Sequence, residues 1–444
     1  MSDWLVEPGY ESVRDLFVRE NGSLGIGGGG YCAYVDGKPV VDLWAGQADE
    51  GVPWQADTGT IIMSATKGFA AMCVEVLQDR GQIDIDAPVA QYWPEFAQNG
   101  KEGVLVRHVL MHTAGLFGFP GQTDVTRLDG TGWDDYDAIS AGFAAAKLEW
   151  EPGSQHGYHA LSVGWLLAEI VKRASGRSLG TFFREEIAEP LGLETWIGTP
   201  PERLAHTAHV YPTRTGHLPG FLRRTHEIMT AAARDPKTLT GKSFLGTGTS
   251  SGLDELELVF NHPAVIGAEF PAGGATSTAR GLARAWAMVA NDGELDGVRV
   301  LSPESVAQWG KVVQNETDAL MLELPVPKLA SGITKGKTPR TIGYIGNISM
   351  PGLTGRFGPS PDAYGAEGLG GQYGYCDRRS RIAIGFVRND LAMLEVLQPQ
   401  LTAEVYRCAK ELGHDVYVAP PVPRWKSALG NQIRKRVAVP ATQR

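Results

Sequence analysis

One segment restricts the fold of this chain more than any other: Ile61 to Gly81, IIMSATKGFAAMCVEVLQDRG. Phe69, Met72, Cys73, Val76 and Leu77 recur at the three-and-four spacing of a buried helical face, and Gly81 sits where a helix ends in a left-handed cap. Ile61 to Met63 read as a short extended segment leading in. That spacing puts Ser64 at a helix N-terminus, where free N–H groups and the helix dipole favour negative charge, and Lys67 one turn further on the same face. An amine beside a hydroxyl is what an unactivated serine needs to become a nucleophile. The S-x-x-K spacing also arises by chance about once in a chain of this size, as an ordinary N-cap and a solvated lysine, so context has to decide.

At 444 residues the chain exceeds the usual single core, and one composite domain or two lobes is expected. Its 41 Lys and Arg against 50 Asp and Glu give a net charge of -9, which argues against a nucleic-acid surface and fits a small neutral substrate. The start MSDWLVEPGYESVRDLF lacks the basic and apolar pattern of a secretory signal, and no apolar run reaches bilayer length. Cys32, Cys73, Cys376 and Cys408 have no C-x-x-C spacing and read as reduced core residues of a cytoplasmic protein. A membrane partner is not expected; a homo-oligomer is left open.

The N-terminal region predicts an amphipathic helix from about Glu7 to Glu20, with Val13, Leu16 and Phe17 on one face. Gly25 to Gly30 satisfies G-x-G-x-x-G, yet a dinucleotide fingerprint must open a helix, and here YCAYVDGKPVVDLWAG predicts two strands joined at Asp36-Gly37. Residues 84–261 read as a mainly helical lobe inserted into a discontinuous sheet domain of residues 1–83 and 262–415, with a basic, Pro-rich tail at 416–444. His108 and His112 lie i, i+4 without a third ligand, so structural roles are expected and no metal. His156 and His159 flank Tyr158 just ahead of a helix, where one of them could touch substrate. Gly248 to Gly252 matches G-x-S-x-G around Ser250, but an acidic segment follows it where that elbow requires a helix. GGATSTARGLARAWAMVAND predicts a Ser/Thr-capped helix, and the segments RTIGYIGNISM, GLGGQYGYCD and RIAIGFVRND predict strands, the last two a hairpin.

Together these segments resemble the serine hydrolases of the class C β-lactamase and penicillin-binding type, and within it the family VIII carboxylesterases. The resemblance spans about Leu5 to Leu412 and rests on Ser64 and Lys67, HTAGL from His112, the Tyr158 segment, GGATSTARGLAR from Gly273 and LGGQYG from Leu369, in the family's order. It implies an α+β, β-lactamase-like fold, an antiparallel sheet flanked by helices with an inserted helical lobe, and no cofactor. It also implies Ser64, Lys67 and Tyr158 as catalytic residues and the backbone N–H groups of Ser64 and Gln372 as oxyanion hole, with His159, Leu369, Gly370 and Gly371 against the substrate.

Two departures bear on specificity. The second motif reads Tyr158-His159-Ala160, without the family's asparagine, and the third begins at Leu369 where the family has a lysine that would pair with a carboxylate. Both favour an uncharged, partly apolar ester, with at most weak β-lactam turnover. In this scheme a positive Lys67 holds Tyr158 toward phenolate. Three rivals remain at this stage: an acyltransferase with the same acyl-enzyme, an esterase built on Ser250, and a non-catalytic relative that kept the fold.

Overall fold

The computed structural model describes residues 3–127, 129–213, 220–244, 259–325, 337–348, 355–392, 395 and 397–418. The hairpin foreseen at Asp36-Gly37 is present: strands Gly28–Val35 and Lys38–Asp49 are joined through Asp36 at φ 48° and Gly37 at φ 75°. The G-x-G-x-x-G run therefore ends inside a strand and opens no helix. Every residue of Gly28–Val35 is buried, so the strand is covered on both faces. Its alternation sorts the side chains, Tyr31, Ala33 and Val35 to one core and Cys32 and Tyr34 to the other.

The main sheet is antiparallel throughout, in the order Leu5–Val6, Lys38–Asp49, Gly28–Val35, Ile382–Arg388, Gln372–Asp377, Tyr364–Gly368, Ile345–Gly346, Thr338–Arg340, Gln314–Glu316. The first hairpin and Leu5–Val6 thus complete a sheet whose other strands come from the last third of the chain. One face carries helices Glu11–Glu20 and Leu397–Glu411 over Tyr31, Tyr375, Ile384 and Phe386. The other carries helix Ala279–Ala290, capped by Thr278 as expected, whose approach depends on a glycine. A Cβ on Gly385 would lie 2.1 Å from the Ala279 carbonyl oxygen.

Helix Thr66–Asp79 is buried at every position from Thr66 to Leu77 and belongs to the larger core. It is a helix enclosed all round rather than one with a single apolar face. Described elements between Val89 and Phe244 are helical except for strand Thr195–Trp196, which joins a second sheet in the order Thr60–Ile61, Thr276–Ser277, Thr195–Trp196. All four cysteines are buried and free. Among the described residues no helix is long and apolar enough to cross a membrane. Ser250 and the tail from 419 lie outside the described residues.

The enclosed helix carries one buried carboxyl, Glu75, which accepts from Tyr344 Oη at 2.6 Å and Ser305 Oγ at 3.2 Å. Burial first pushes its pKa up to about 7, against the lowering effect of those two hydrogen bonds. A carboxyl whose folded pKa lies above its unfolded value costs stability as pH rises through that interval. We expect Glu75→Gln to raise the melting temperature at pH 8 and to leave it nearly unchanged at pH 5, by up to about 3 kcal/mol between the two. Thermal unfolding of both proteins at both pH values checks this.

Candidate active site

Three tertiary contacts fix the nucleophile before any catalytic partner arrives. Strand Thr60–Ile61 pairs with Thr276–Ser277, and the Ile62 N–H donates to the Ala275 carbonyl at 2.9 Å. The chain then turns at Met63, whose φ of 48° is rare outside glycine and asparagine, so the extended segment stops at Ile61 rather than at Met63. Thr66 Oγ1 donates to the Met63 carbonyl at 2.7 Å and accepts from the Ala275 N–H at 3.2 Å, holding that turn closed. Ser64 lies in a 3₁₀ turn, Met63–Ala65, that runs straight into helix Thr66–Asp79.

Lys67 is 8% exposed, with Nζ 2.9 Å from Ser64 Oγ and 2.6 Å from the Ala272 carbonyl oxygen. Tyr158 comes from the loop before helix Ser162–Ser175 and is held at its backbone. Its N–H donates to Asp318 Oδ1 at 3.2 Å, and its carbonyl accepts from Ser243 Oγ at 2.7 Å. Its ring centroid lies 5.0 Å from Lys67 Nζ, and Ser64 is near enough to its hydroxyl to favour the phenolate. Hydroxyl, amine and phenol meet, then, from positions 64, 67 and 158.

Burial sets the protonation of this group. It pushes the Lys67 amine well below the usual lysine range, helped by the positive charge of Arg340. It pushes the Tyr158 phenol up to about 12, although Ser64 and Arg340 pull the other way. The expectation of a cationic Lys67 favouring phenolate is therefore reversed. Desolvation disfavours both charges, so it shifts Lys67 toward the free amine and Tyr158 toward the protonated phenol. The Ala272 carbonyl takes one amine N–H, which leaves a lone pair free to face Ser64.

Two further expectations are corrected. His159 has no exposed surface: its Nε2 accepts from the Leu116 N–H at 3.1 Å and its Nδ1 donates to the Gly157 carbonyl at 2.6 Å, so its ring is scaffold, not substrate contact. Gln372 is likewise 0% exposed, opens a strand one removed from the nucleophile, and spends its side-chain amide on the Arg388 backbone. Its N–H cannot face a cleft. The strand beside Ser64 is Tyr364–Gly368, so close that a Cβ on Gly368 would lie 2.2 Å from the Ile62 carbonyl oxygen.

Leu369-Gly370-Gly371 forms the turn after that strand, with φ of 85° and 106° at the two glycines. A Cβ on Gly370 would lie 2.3 Å from Leu391 Cδ2, so the turn and its packing require glycine there, rather than the approach of a substrate. Leu369 is 40% exposed. His108 and His112 have structural roles: each Nδ1 accepts a backbone N–H, from Leu105 and His159 respectively. Among the described residues no group of three metal-ligating side chains converges. Sequence reasoning missed Asp318, Ser243 and Arg340, for which no local motif exists.

A family model described as Beta-lactamase matches residues 13–406. The chain is 34% identical over 395 residues to the esterase/beta-lactamase LipL of Mycobacterium tuberculosis, covering 87% of this chain and 82% of that protein. It is similar to the solved structure of a family VIII carboxylesterase, with a TM-score of 0.74 and 29% identity over 91% of this chain and 98% of the other. A penicillin-binding protein homologue from Caulobacter crescentus gives a TM-score of 0.72 and 29% identity, over 92% and 100% of the two chains.

The scaffold role of His159 has a measurable consequence. His159→Ala strands the buried Leu116 N–H and Gly157 carbonyl and should cost about 1–3 kcal/mol of stability, with KM for small esters unchanged. Thermal unfolding beside steady-state kinetics distinguishes this from a substrate contact, whose loss would raise KM instead.

Proposed function

The chain belongs to the beta-lactamase family, and on that premise we propose that it is a serine carboxylesterase acting on small, uncharged esters through an acyl-enzyme on Ser64. The observation that carries the proposal is the 2.9 Å contact of Ser64 Oγ with the amine of Lys67, which burial drives toward its neutral form. Ser64 Oγ attacks the ester carbonyl while Lys67 Nζ takes the hydroxyl proton. Tyr158, protonated in the resting enzyme, gives its proton to the departing alcohol and is restored by the proton that Lys67 took from Ser64. Water then attacks the acyl-enzyme, losing a proton to the same pair, and the acid leaves.

The oxyanion is assigned to the N–H groups of Ser64 and Leu369. Leu369 follows Gly368 at the end of the strand packed on the nucleophile segment, and it is the exposed residue there. Support for an uncharged substrate comes from that strand: Ala366, Glu367 and Gly368 offer no cation, and Glu367 is paired with Arg356. A β-lactam or peptide carboxylate would find no partner on it. The esterases among the relatives agree with this reading, as does the absence of the second-motif asparagine at Ala160.

A panel of chromogenic esters run beside a chromogenic cephalosporin tests it. Ser64→Ala should lower kcat/KM for the best ester at least about 10⁴-fold and Tyr158→Phe about 10²-fold or more, both remaining folded. Full activity in Ser64→Ala, or a cephalosporin rate equal to the best ester, would overturn the assignment, and acyl transfer to an added alcohol in place of water would make the protein an acyltransferase. The pH profile follows from the two shifts. Activity rises with pH as Lys67 loses its proton, at a midpoint well below the usual lysine range. Loss of the Tyr158 proton produces no descending limb until about pH 12.

A further inference from the structure

Arg340 is the last residue of strand Thr338–Arg340, third from the Gln372–Asp377 strand in the main sheet, and its side chain is only 8% exposed. Its guanidinium carbon lies 5.9 Å from the centroid of the Tyr158 ring. The group is held from behind. Nε donates to His156 Nε2 at 3.2 Å, and His156 Nδ1, which must then carry the proton, donates to the Met111 carbonyl at 3.2 Å. Burial keeps His156 neutral by lowering its pKa to about 3, so it can accept from a cation without repelling it.

Two carboxylates face this cation without pairing directly with it, and Asp318 Oδ2 lies 3.7 Å from the His156 Nε2 that accepts from Arg340. Asp318 Oδ1 accepts the N–H groups of Tyr158 and Leu320, at 3.2 and 2.9 Å, and Glu367 is bound to Arg356. Among the described residues Arg340 makes no ion pair within 4 Å. A guanidinium does not lose its proton at ordinary pH, and burying one without a direct counter-charge costs several kcal/mol. An arginine kept there for stability alone would be paired. This one lies instead over the ring of Tyr158.

We propose that Arg340 is a positioning residue for acyl transfer, the fixed cation that steadies the negative charge on the Tyr158 oxygen while its proton is passed to the leaving alcohol. It does so from the sheet's far side, where strand Tyr364–Gly368 has no cation to contribute. The proposal rests on the acyl-enzyme reading above. Lys67 is charged only after it has taken the Ser64 proton and must be neutral before that, whereas the guanidinium keeps its charge through every step. Arg340 separates the two duties: its charge favours phenolate on one neighbour and the free amine on the other. The titratable and charged groups around them are Ser64 and Lys67 from the nucleophile segment, and His112, His156 and His159 beside the Tyr158 loop. Asp318, Glu367 and Arg356 complete the set, and none of these is a fixed cation closer to Tyr158 that would duplicate Arg340.

The test compares Arg340→Gln and Arg340→Lys with wild type for ester hydrolysis across pH, with fluorophosphonate labelling of Ser64 and melting temperatures. Arg340→Gln should lower kcat about 10- to 100-fold with KM little changed, and move the ascending limb to higher pH, because removing a positive charge raises the pKa of Lys67. Arg340→Lys should restore most of kcat and bring the limb back. If Arg340→Gln does not fold, the cycle of Arg340→Lys with Tyr158→Phe replaces it: the cost of Arg340→Lys should vanish when the phenol is absent. An unmoved limb with kcat within about twofold, a loss of kcat that follows melting temperature alone, or additive effects in the cycle would overturn the proposal. Absence of Ser64 labelling in wild type would instead overturn the acyl-enzyme reading.

Discussion

The contact between Ser64 Oγ and the buried amine of Lys67 is what the rest of the structure serves. A lysine in water is charged at neutral pH and has no lone pair to offer. Enclosing helix Thr66–Asp79 removes the water that would solvate an ammonium, and among the described residues the amine's hydrogen-bond partners are a carbonyl oxygen and a hydroxyl. The basicity of the site is thus a property of the core, not of a motif. Any change that let water reach Lys67 would return it to the charged form and silence it.

Geometry follows the same logic. The turn at Met63 departs from the conformations most side chains prefer, and it persists because Thr66, Ala275 and the small sheet around Thr60–Ile61 hold it from three directions. Strand Tyr364–Gly368 comes against it closely enough that a Cβ at Gly368 would meet Ile62 and Met63. The opposite wall is the Tyr158 loop, tied to Asp318 and Ser243 through its backbone so that the phenol is presented and not merely nearby. His112, His156 and His159, which look like chemistry in the sequence, are the neutral, fully bonded posts that hold this wall up.

Much of this was legible in advance for a definable reason. The helix at Ser64, the Asp36-Gly37 hairpin, the Thr278-capped helix and the late strands are all written in local periodicity and turn chemistry, which depend on residues a few positions apart. The blocks of the family resemblance lay in order along the chain and led to the fold. Leu369-Gly370-Gly371, expected against the substrate, forms the turn after strand Tyr364–Gly368. Two consecutive glycines invite the inference of close substrate approach, and only the φ angles and the packing of Leu391 reveal a hairpin turn. Gln372 was placed in the oxyanion hole by the same inference, and its burial removes it.

What the amino-acid order determined by itself is the candidate groups and the elements that carry them: serine and lysine one helical turn apart, and a tyrosine at the mouth of a second helix. Which of them is charged was decided only by the fold, because desolvation is a sum over everything that surrounds a group, and those surroundings come from positions as distant as Ala272, Asp318 and Arg340. A spacing rule can place an amine beside a hydroxyl. It takes the closed core to make that amine a base.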